Sequence, residues 1–284
     1  MPLRRGIVPL ALLLLSFAFC LPARHELAAE LQRAGGLLAR GNRAAIVVAI
    51  AAFVLVPLSA AVTWCWALAP AGGRLPRVDA CCRYGVGSLV NTFAPARAGD
   101  AVRLVLFARL LGGIPCRVLA ARFGALELAR VAVFGALGVA FVEPAAGALL
   151  AGAALAWCAC RGHVRLGLAV GAAAAVRVGA FAVALAALRA PSAFGDALRI
   201  VPALEIAAIV PLTPGNVAFA SLASAAALRA GGMPISSGVV VGIALHVLES
   251  AGAVCFGAAS LATIVARRAV RWRAGAPAWL ASTA

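Results

Sequence analysis

Residues 44–70 read AAIVVAIAAFVLVPLSAAVTWCWALAP, an apolar run that contains no charged side chain. A helix of roughly 20 apolar residues crosses the hydrocarbon core of a bilayer, so this stretch predicts a transmembrane helix. Trp64 and Trp66 near its end are typical of the aromatic belt at a membrane surface. Similar apolar runs recur along the chain, and together they predict an all-α, polytopic membrane helical bundle.

The composition of the whole chain supports this class. Of its 284 residues, 64% are apolar and 12% are charged, whereas soluble domains are about 45–50% apolar and about 25% charged. This excludes a soluble enzyme, a nucleic-acid-binding protein and a disordered scaffold. The net charge of +16 comes from 25 basic residues, all arginine, many of them at the ends of apolar runs, where they meet lipid phosphates. We therefore expect membrane lipids, and not nucleic acid, as partners.

Six segments are apolar over about the length of a span and predict full transmembrane helices: 7–23, 44–70, 118–142, 144–160, 166–188 and 238–266. The first of them also fits a signal peptide, and we favour a retained helix. Segment 24–43 interleaves charged residues with leucines, which predicts an amphipathic helix at the membrane interface. Residues 71–83 predict a polar loop.

The distribution of arginines predicts the orientation of the chain. Arginines cluster before the first span, in the 71–83 loop, around residue 161 and after residue 266. The excess of positive charge on cytoplasmic segments then places both termini in the cytoplasm of a bacterial cell. We expect one multi-pass domain of the cytoplasmic membrane over 1–266 and a basic cytoplasmic tail over 267–284. The 24–43 helix is the exception, since its arginines would face outward.

Two further segments, 84–116 and 200–230, are interrupted by proline and glycine, and similar landmarks follow in the same order. The first copy contains PARAGD (95–100), GGIP (112–115) and LE (126–127); the second contains PLTPGN (211–216), GGMP (231–234) and LE (248–249). Paired interruptions of this kind mark the binding site in transporters built from inverted repeats. We predict repeat-like halves around 84–142 and 200–266, with two re-entrant segments. Chance similarity in a chain rich in Ala, Gly and Pro is the alternative.

The interruptions are also the predicted binding site. Helix breaks at membrane depth are tolerated where they line a wet cavity, and the freed helix N-termini suit an anion. A helix that starts after Gly99 places Asp100 and Arg103 on one face, which predicts an Arg–Asp pair that leaves a second arginine, Arg97, for a phosphate. The alternative is that these arginines only extend to lipid headgroups. The candidate substrate-binding residues are Asn91, Arg97, Asp100, Arg103, Glu127, Pro214, Gly215, Asn216 and Glu249.

Two acidic residues, Glu127 and Glu249, lie inside strongly apolar segments. Arg130 follows Glu127 by three residues, and His246 precedes Glu249 by three. The pattern favours a polar tie between helices, with a proton-coupled role as the alternative, because a buried carboxylate can take up a proton. Arg177 in the 166–188 span is a candidate for the transport path or for a buried ion pair.

No pattern in the sequence predicts catalysis, a cofactor or a metal site. The eight cysteines lack the spacing of paired metal ligands and lie mostly inside apolar runs, where cysteine behaves as a small hydrophobic residue. We therefore expect a protein that is not an enzyme and has no cofactor. The glycine-rich spans leave the oligomeric state open.

The motif at the first interruption resembles a known family. Residues 91–103, NTFAPARAGDAVR, are similar to the N-x-x-x-P-x-R-x-G-E-x-x-R segment of the lysylphosphatidylglycerol synthase transmembrane, or flippase-like, family. PLTPG at 211–215 resembles that family's P-x-x-P-G segment, and the likeness extends over roughly residues 5–266. Asp100 stands where the family usually has Glu. Leu128 stands where the family often has Arg after its buried Glu.

The resemblance implies a function in lipid transport. In the best-known members, this membrane domain is joined to an aminoacyl-transfer domain that makes lysyl-phosphatidylglycerol, and the membrane part is thought to move the lipid outward. For this chain the resemblance implies translocation of an anionic or phosphate-bearing lipid without aminoacyl transfer. The alternatives are a non-transporting partner that anchors a separate glycosyl or acyl transferase, and a transporter of small solutes.

Overall fold

The computed structural model describes residues 24–68, 76–94, 98–112, 114–140, 145–147, 149–153, 164–208 and 216–273. Within these ranges every regular element is helical, which confirms the all-α class. The helices are α1 (Arg24–Arg40), α2 (Arg43–Leu68), α3 (Arg77–Phe93), α4 (Ala98–Leu110), α5 (Cys116–Ala140), α6 (Val164–Ala187), α7 (Ala193–Ala207), α8 (Val217–Ala230) and α9 (Ile235–Arg273).

Four of these helices contain a stretch long and apolar enough to cross a bilayer. The stretches are Arg43–Leu68, Arg117–Ala140, Val164–Ala187 and Ile235–Val270, and they coincide with the predicted spans 44–70, 118–142, 166–188 and 238–266. The predicted span 7–23 lies outside the described residues. The span 144–160 is described only over the helical stretches 145–147 and 149–153.

One predicted boundary is wrong. The 71–83 segment is not a loop throughout, because α3 begins at Arg77, with Asp79 in its first turn, where a carboxylate stabilises a helix start. At the other end of the chain, α9 continues past residue 266 to Arg273, so the first part of the predicted basic tail is helical. Arg267 Nη1 donates to Asp79 Oδ1 at 2.7 Å, so the extended end of α9 is attached to the start of α3.

Pro202, expected to help break the 200–230 segment, instead lies inside α7. It is buried there, and a Cβ added to Gly138 would lie 3.3 Å from Pro202 Cβ. The absence of a side chain at Gly138 leaves room for the proline ring against α5. The helix therefore continues through Pro202 and ends only at Ala207.

Helices α3 and α4 form a short antiparallel hairpin. They have 17 and 13 residues, fewer than the roughly 20 that a span requires. Arg103 of α4 lies beside Ser88 of α3, and Gly99 lies beside Asn91, so the two helices run in opposite directions. Residues 91–94 and 98–100 lie at their closed end.

Helices α7 and α8 form a second hairpin of the same kind, with 15 and 14 residues. At its closed end, Asn216 donates from its side-chain nitrogen to the Ala207 carbonyl oxygen at 3.4 Å. At its open end, Gly231 lies beside Asp196. The structure thus has two hairpins of short helices beside the four long apolar helices.

Glycines allow the first hairpin to pack backbone against backbone. A Cβ added to Gly99 would lie 2.0 Å from the carbonyl oxygen of Gly87, so only glycine fits there. On the opposite side of α3, a Cβ added to Gly257 of α9 would lie 2.9 Å from the carbonyl oxygen of Gly85. Close approach through small residues is the usual way that membrane helices associate.

Two apolar clusters surround the middle of the bundle. One joins α2, α6, α7 and α9 and includes an edge-to-face contact between Phe53 and Phe181, with ring centroids 5.1 Å apart. The other centres on Trp64, whose ring contacts those of Tyr84, Phe107 and Phe123. Phe53, Trp64 and Tyr84 also line a central cavity, so both clusters form its apolar walls.

The glycine contact predicts a marked effect of Gly99→Ala. Its methyl group would push α4 away from α3, and overpacking of this kind lowers the free energy of unfolding by roughly 1–3 kcal/mol. The control is Gly179→Ala in α6, where an added Cβ meets nothing within 4 Å and alanine stabilises a helix by up to about 1 kcal/mol. Unfolding in detergent measures both; equal stability of the two variants would rule out the close contact.

Candidate functional site

A cavity of about 290 Å³ lies between the two hairpins and the long helices. Its walls combine apolar side chains with an unusual number of ionisable ones for the interior of a membrane protein. The ionisable residues that line it are Asp100, Arg103, Arg130, Arg177, Glu205, His246 and Glu249. Ionisable residues inside membrane proteins usually face such an interior or a water-filled path.

Arg103 is the best fixed of these groups, on the wall formed by the first hairpin. It is 8% exposed, donates from Nη1 to Asp100 Oδ1 and donates from Nη2 to Ser88 Oγ at 2.8 Å. Its guanidinium carbon lies 4.0 Å from the centre of the Tyr84 ring, a cation–π contact. Hydrogen bonds and stacking therefore hold the cation in one orientation.

Asn91 holds the closed end of the same hairpin together. Its side-chain nitrogen donates to Asp100 Oδ1 at 3.1 Å, and its side-chain oxygen accepts the backbone N–H of Gly99 at 2.6 Å. That N–H belongs to the first turn of α4, which has no partner within its own helix. Asn91 thus caps α4 and fixes the carboxylate that binds Arg103.

A second polar group is a chain of five alternating charges drawn from α5, α6, α7 and α9. Glu205 lies at its centre and accepts from Arg130 Nη2 at 2.9 Å and from Arg177 Nη1. At one end, Arg130 Nη1 donates to Glu127 Oε1 at 3.1 Å; at the other, Arg177 Nη2 donates to Glu249 Oε1 at 2.9 Å. The ion pairs therefore join four helices that are distant in sequence.

A proline also affects the cavity wall. Pro57 lies inside α2, and a proline in a helix leaves the carbonyl four residues earlier, here that of Phe53, without its helix partner. Both residues line the cavity. A freed carbonyl at membrane depth is tolerated where the backbone is buried in protein or borders a wet cavity.

The structure brings together part of the predicted site. Asn91, Asp100, Arg103 and Glu249 line the cavity, and Arg103 pairs with Asp100 as their spacing predicts. Glu127 is connected to the residues of the cavity through its ion pair with Arg130. Asn216 begins α8 with a left-handed φ of 57°, outside the cavity wall. Arg97, Pro214 and Gly215 lie outside the described residues.

Sequence reasoning missed Glu205, the central carboxylate of the chain of charges. It is the only acidic residue of segment 200–230, so the argument that singled out Glu127 and Glu249 applies to it equally. Arg177 lies in a buried ion pair, one of the two roles considered for it. Arg130 was recognised only as a neighbour of Glu127.

No model of a protein family matches the chain, and no curated protein or solved structure matches it either. In the described part of the chain, no group of three or more His, Cys, Asp and Glu side chains could hold a metal ion. The site is therefore interpreted from its own geometry.

The chain of charges predicts that Glu205→Gln is strongly destabilising. The substitution leaves two half-buried guanidinium groups, those of Arg130 and Arg177, without their shared carboxylate, and each hydrogen bond to a charged partner contributes about 1.5–3 kcal/mol. Asp79→Asn is the matched control, because it removes the carboxylate of the more exposed Arg267 pair, which contributes at most about 1 kcal/mol. Unfolding in detergent compares them; a similar loss in both would contradict a central role for Glu205.

Proposed function

We propose that this chain is a membrane protein that binds an anionic or phosphate-bearing lipid by its headgroup in the central cavity and moves it across the cytoplasmic membrane. The observation that supports this most is the convergence of Arg103, Arg130 and Arg177 on one cavity that also has a large apolar lining. A lipid needs both surfaces, because its headgroup carries charge and its acyl chains do not.

The chemistry of the cations supports a phosphate ligand. The planar guanidinium group presents N–H donors in a fork that matches two phosphate oxygens. Among the described residues, Nε of Arg103 and Nε of Arg177 are buried without a hydrogen-bond partner. An unpaired buried donor is costly, and a ligand rich in acceptor oxygens relieves that cost.

The two hairpins support a transport mechanism. We propose that α3–α4 and α7–α8 are re-entrant, enter from opposite faces and form an inverted repeat. Their closed ends contribute Asn91 and Asp100 from one hairpin, and Glu205 and Ala208 from the other, to the same cavity. Rocking of such repeats around a central site would expose it to each face in turn. With both termini in the cytoplasm, the first hairpin enters from that side.

This topology predicts which face reaches each hairpin. In a chain whose native cysteines are replaced by alanine, we expect Arg109→Cys, exposed near the open end of the first hairpin, to react with a membrane-impermeant maleimide from the cytoplasmic side. Ala230→Cys, exposed at the open end of the second hairpin, should react from the opposite side. Val131→Cys, on the exposed surface of α5, should face lipid and react from neither. Labelling of both hairpins from one face only would exclude an inverted pair.

The resemblance of residues 91–103 to the flippase-like family agrees with this proposal. Asn91, Asp100 and Arg103 of that motif lie together in the structure, with Asn91 and Arg103 both bonded to Asp100. We propose that the motif acts as a unit, in which Asn91 and Asp100 position Arg103 for the headgroup. The chain would then share the lipid-moving role of that family.

Lipid movement is tested with fluorescently labelled phosphatidylglycerol in proteoliposomes. We expect the wild type to exchange the lipid between leaflets and Arg103→Ala to slow the exchange at least about tenfold, since a charge-assisted hydrogen bond contributes about 1.5–3 kcal/mol. Arg229→Ala removes the same charge from an exposed position at the end of α8 and should exchange like the wild type.

Two results would contradict the proposal. Equal rates for Arg103→Ala and the wild type would remove Arg103 from the binding site. No exchange by a folded wild type would exclude translocation of this lipid and favour the non-transporting partner, whose test is co-purification of a membrane transferase.

A further inference from the structure

Glu249 occupies the end of the chain of charges that opens to the cavity. Its side chain is 25% exposed, against 12% for Glu205. Its one ion pair in the described structure is with Arg177 Nη2, at 2.9 Å, whereas Glu205 accepts from two guanidinium groups. Of the two carboxylates that bind Arg177, Glu249 is therefore the easier to release.

Arg177 offers only part of its guanidinium group to a ligand while both carboxylates remain in place. Nη1 donates to Glu205 and Nη2 donates to Glu249, and Nε is buried without a partner. Each Nη keeps a second N–H, but two-point binding of a phosphate beside Glu249 would place two negative charges on one side of the cation. A carboxylate pushed away from Arg177 must not stay charged and unpaired in the bundle interior, so binding favours loss of the charge on Glu249.

A proton on Glu249 would remove the unpaired negative charge, and His246 offers a route for that proton. It lies on α9 one turn before Glu249, and both side chains line the cavity. Its Nε2 lies 3.4 Å from Ser250 Oγ. Histidine exchanges protons near neutral pH, so His246 can pass a proton between cavity water and the Glu249 carboxylate one helical turn further along α9.

Charge balance favours an exchange of this kind. In the five-residue chain, three carboxylates oppose two guanidinium groups. A proton on Glu249 removes one negative charge, and a bound phosphodiester restores it, so the charge within the low-dielectric interior stays constant. Binding of the anion without the proton would add a further buried negative charge, which is costly.

Several helices place other charged or titratable groups around the cavity that Glu249 lines. Helix α2 contributes uncharged Thr63 and Trp64 to the cavity wall. The remaining groups are Tyr84 on α3, Asp100 and Arg103 on α4, Glu127 and Arg130 on α5, Arg177 on α6, Glu205 on α7 and His246 on α9. Asp100 and Arg103 form their own ion pair, and Glu205 is bound by two cations. Glu127 is not among the residues that line the cavity, which leaves Glu249 as the acceptor of the proton.

We propose that the cavity binds its anionic ligand together with one proton. The proton passes from cavity water through His246 to a carboxylate oxygen of Glu249, the ion pair with Arg177 breaks, and a phosphate oxygen of the ligand takes over Arg177 Nη2. Release of the ligand reverses these steps and returns the proton. The inference rests on the proposed lipid-binding function and adds a proton to it.

The test is calorimetric titration of the purified full chain in detergent with a short-chain phosphatidylglycerol, in pairs of buffers that differ in ionisation enthalpy. We expect the wild type to take up about one proton per lipid bound, with a Kd that rises as the pH rises. Glu249→Gln mimics the protonated state and should bind with no proton uptake and with little dependence on pH. Asp79→Asn, which removes a carboxylate outside the cavity, should behave as the wild type.

Each result other than the expected one overturns a specific part of the proposal. Binding by the wild type without proton uptake overturns the proton inference and leaves the proposed lipid binding in place. Proton uptake that persists in Glu249→Gln overturns the assignment to Glu249. No binding by either protein overturns the proposed function and this inference with it. The proton count of the wild type decides the main point even if the variant fails to fold.

Discussion

Glu205 holds two guanidinium groups, those of Arg130 and Arg177, inside a bundle of largely apolar helices. A single ion in such an interior costs several kcal/mol, and mutual pairing offsets the cost only when the partners are well placed. Four helices must therefore keep their relative positions for the charges to remain paired. The same condition keeps a polar cavity at the centre of the molecule, since the ends of this chain of charges need either solvent or a ligand.

The two hairpins bring further polar groups to that cavity. A full-length helix would carry its charged side chains through lipid, whereas a short hairpin that is covered by longer helices exposes few of them. The contact between Gly87 and Gly99 keeps α3 and α4 close, and Asn91 then reaches both the start of α4 and Asp100. Arg103 gains its orientation from these contacts and from the ring of Tyr84, so glycines of the hairpin determine where the cation lies.

Much of the fold follows from the sequence because hydropathy reports directly on lipid contact. The four long apolar helices were predicted from it, and the pairing of Asp100 with Arg103 followed from helix periodicity. Helix ends were predicted less well, since hydropathy marks the edge of the lipid and not the end of a helix: α9 continues to Arg273 because arginine favours helix. The bonds of Arg177 to Glu205 and Glu249 join residues 28 and 72 positions apart, and local periodicity carries no information about such contacts.

The central claim is that the cavity holds the headgroup of an anionic lipid through its arginines. Native mass spectrometry of the protein extracted with minimal delipidation tests this most directly, with the wild type beside the double variant Arg97→Ala, Arg103→Ala. The account predicts a defined anionic lipid bound to the wild type and lost from the variant, while loosely bound lipids remain on both. Retention of the same lipids by both proteins would contradict binding in the cavity. It would indicate that Arg97 and Arg103 only contact lipid headgroups at the membrane surface.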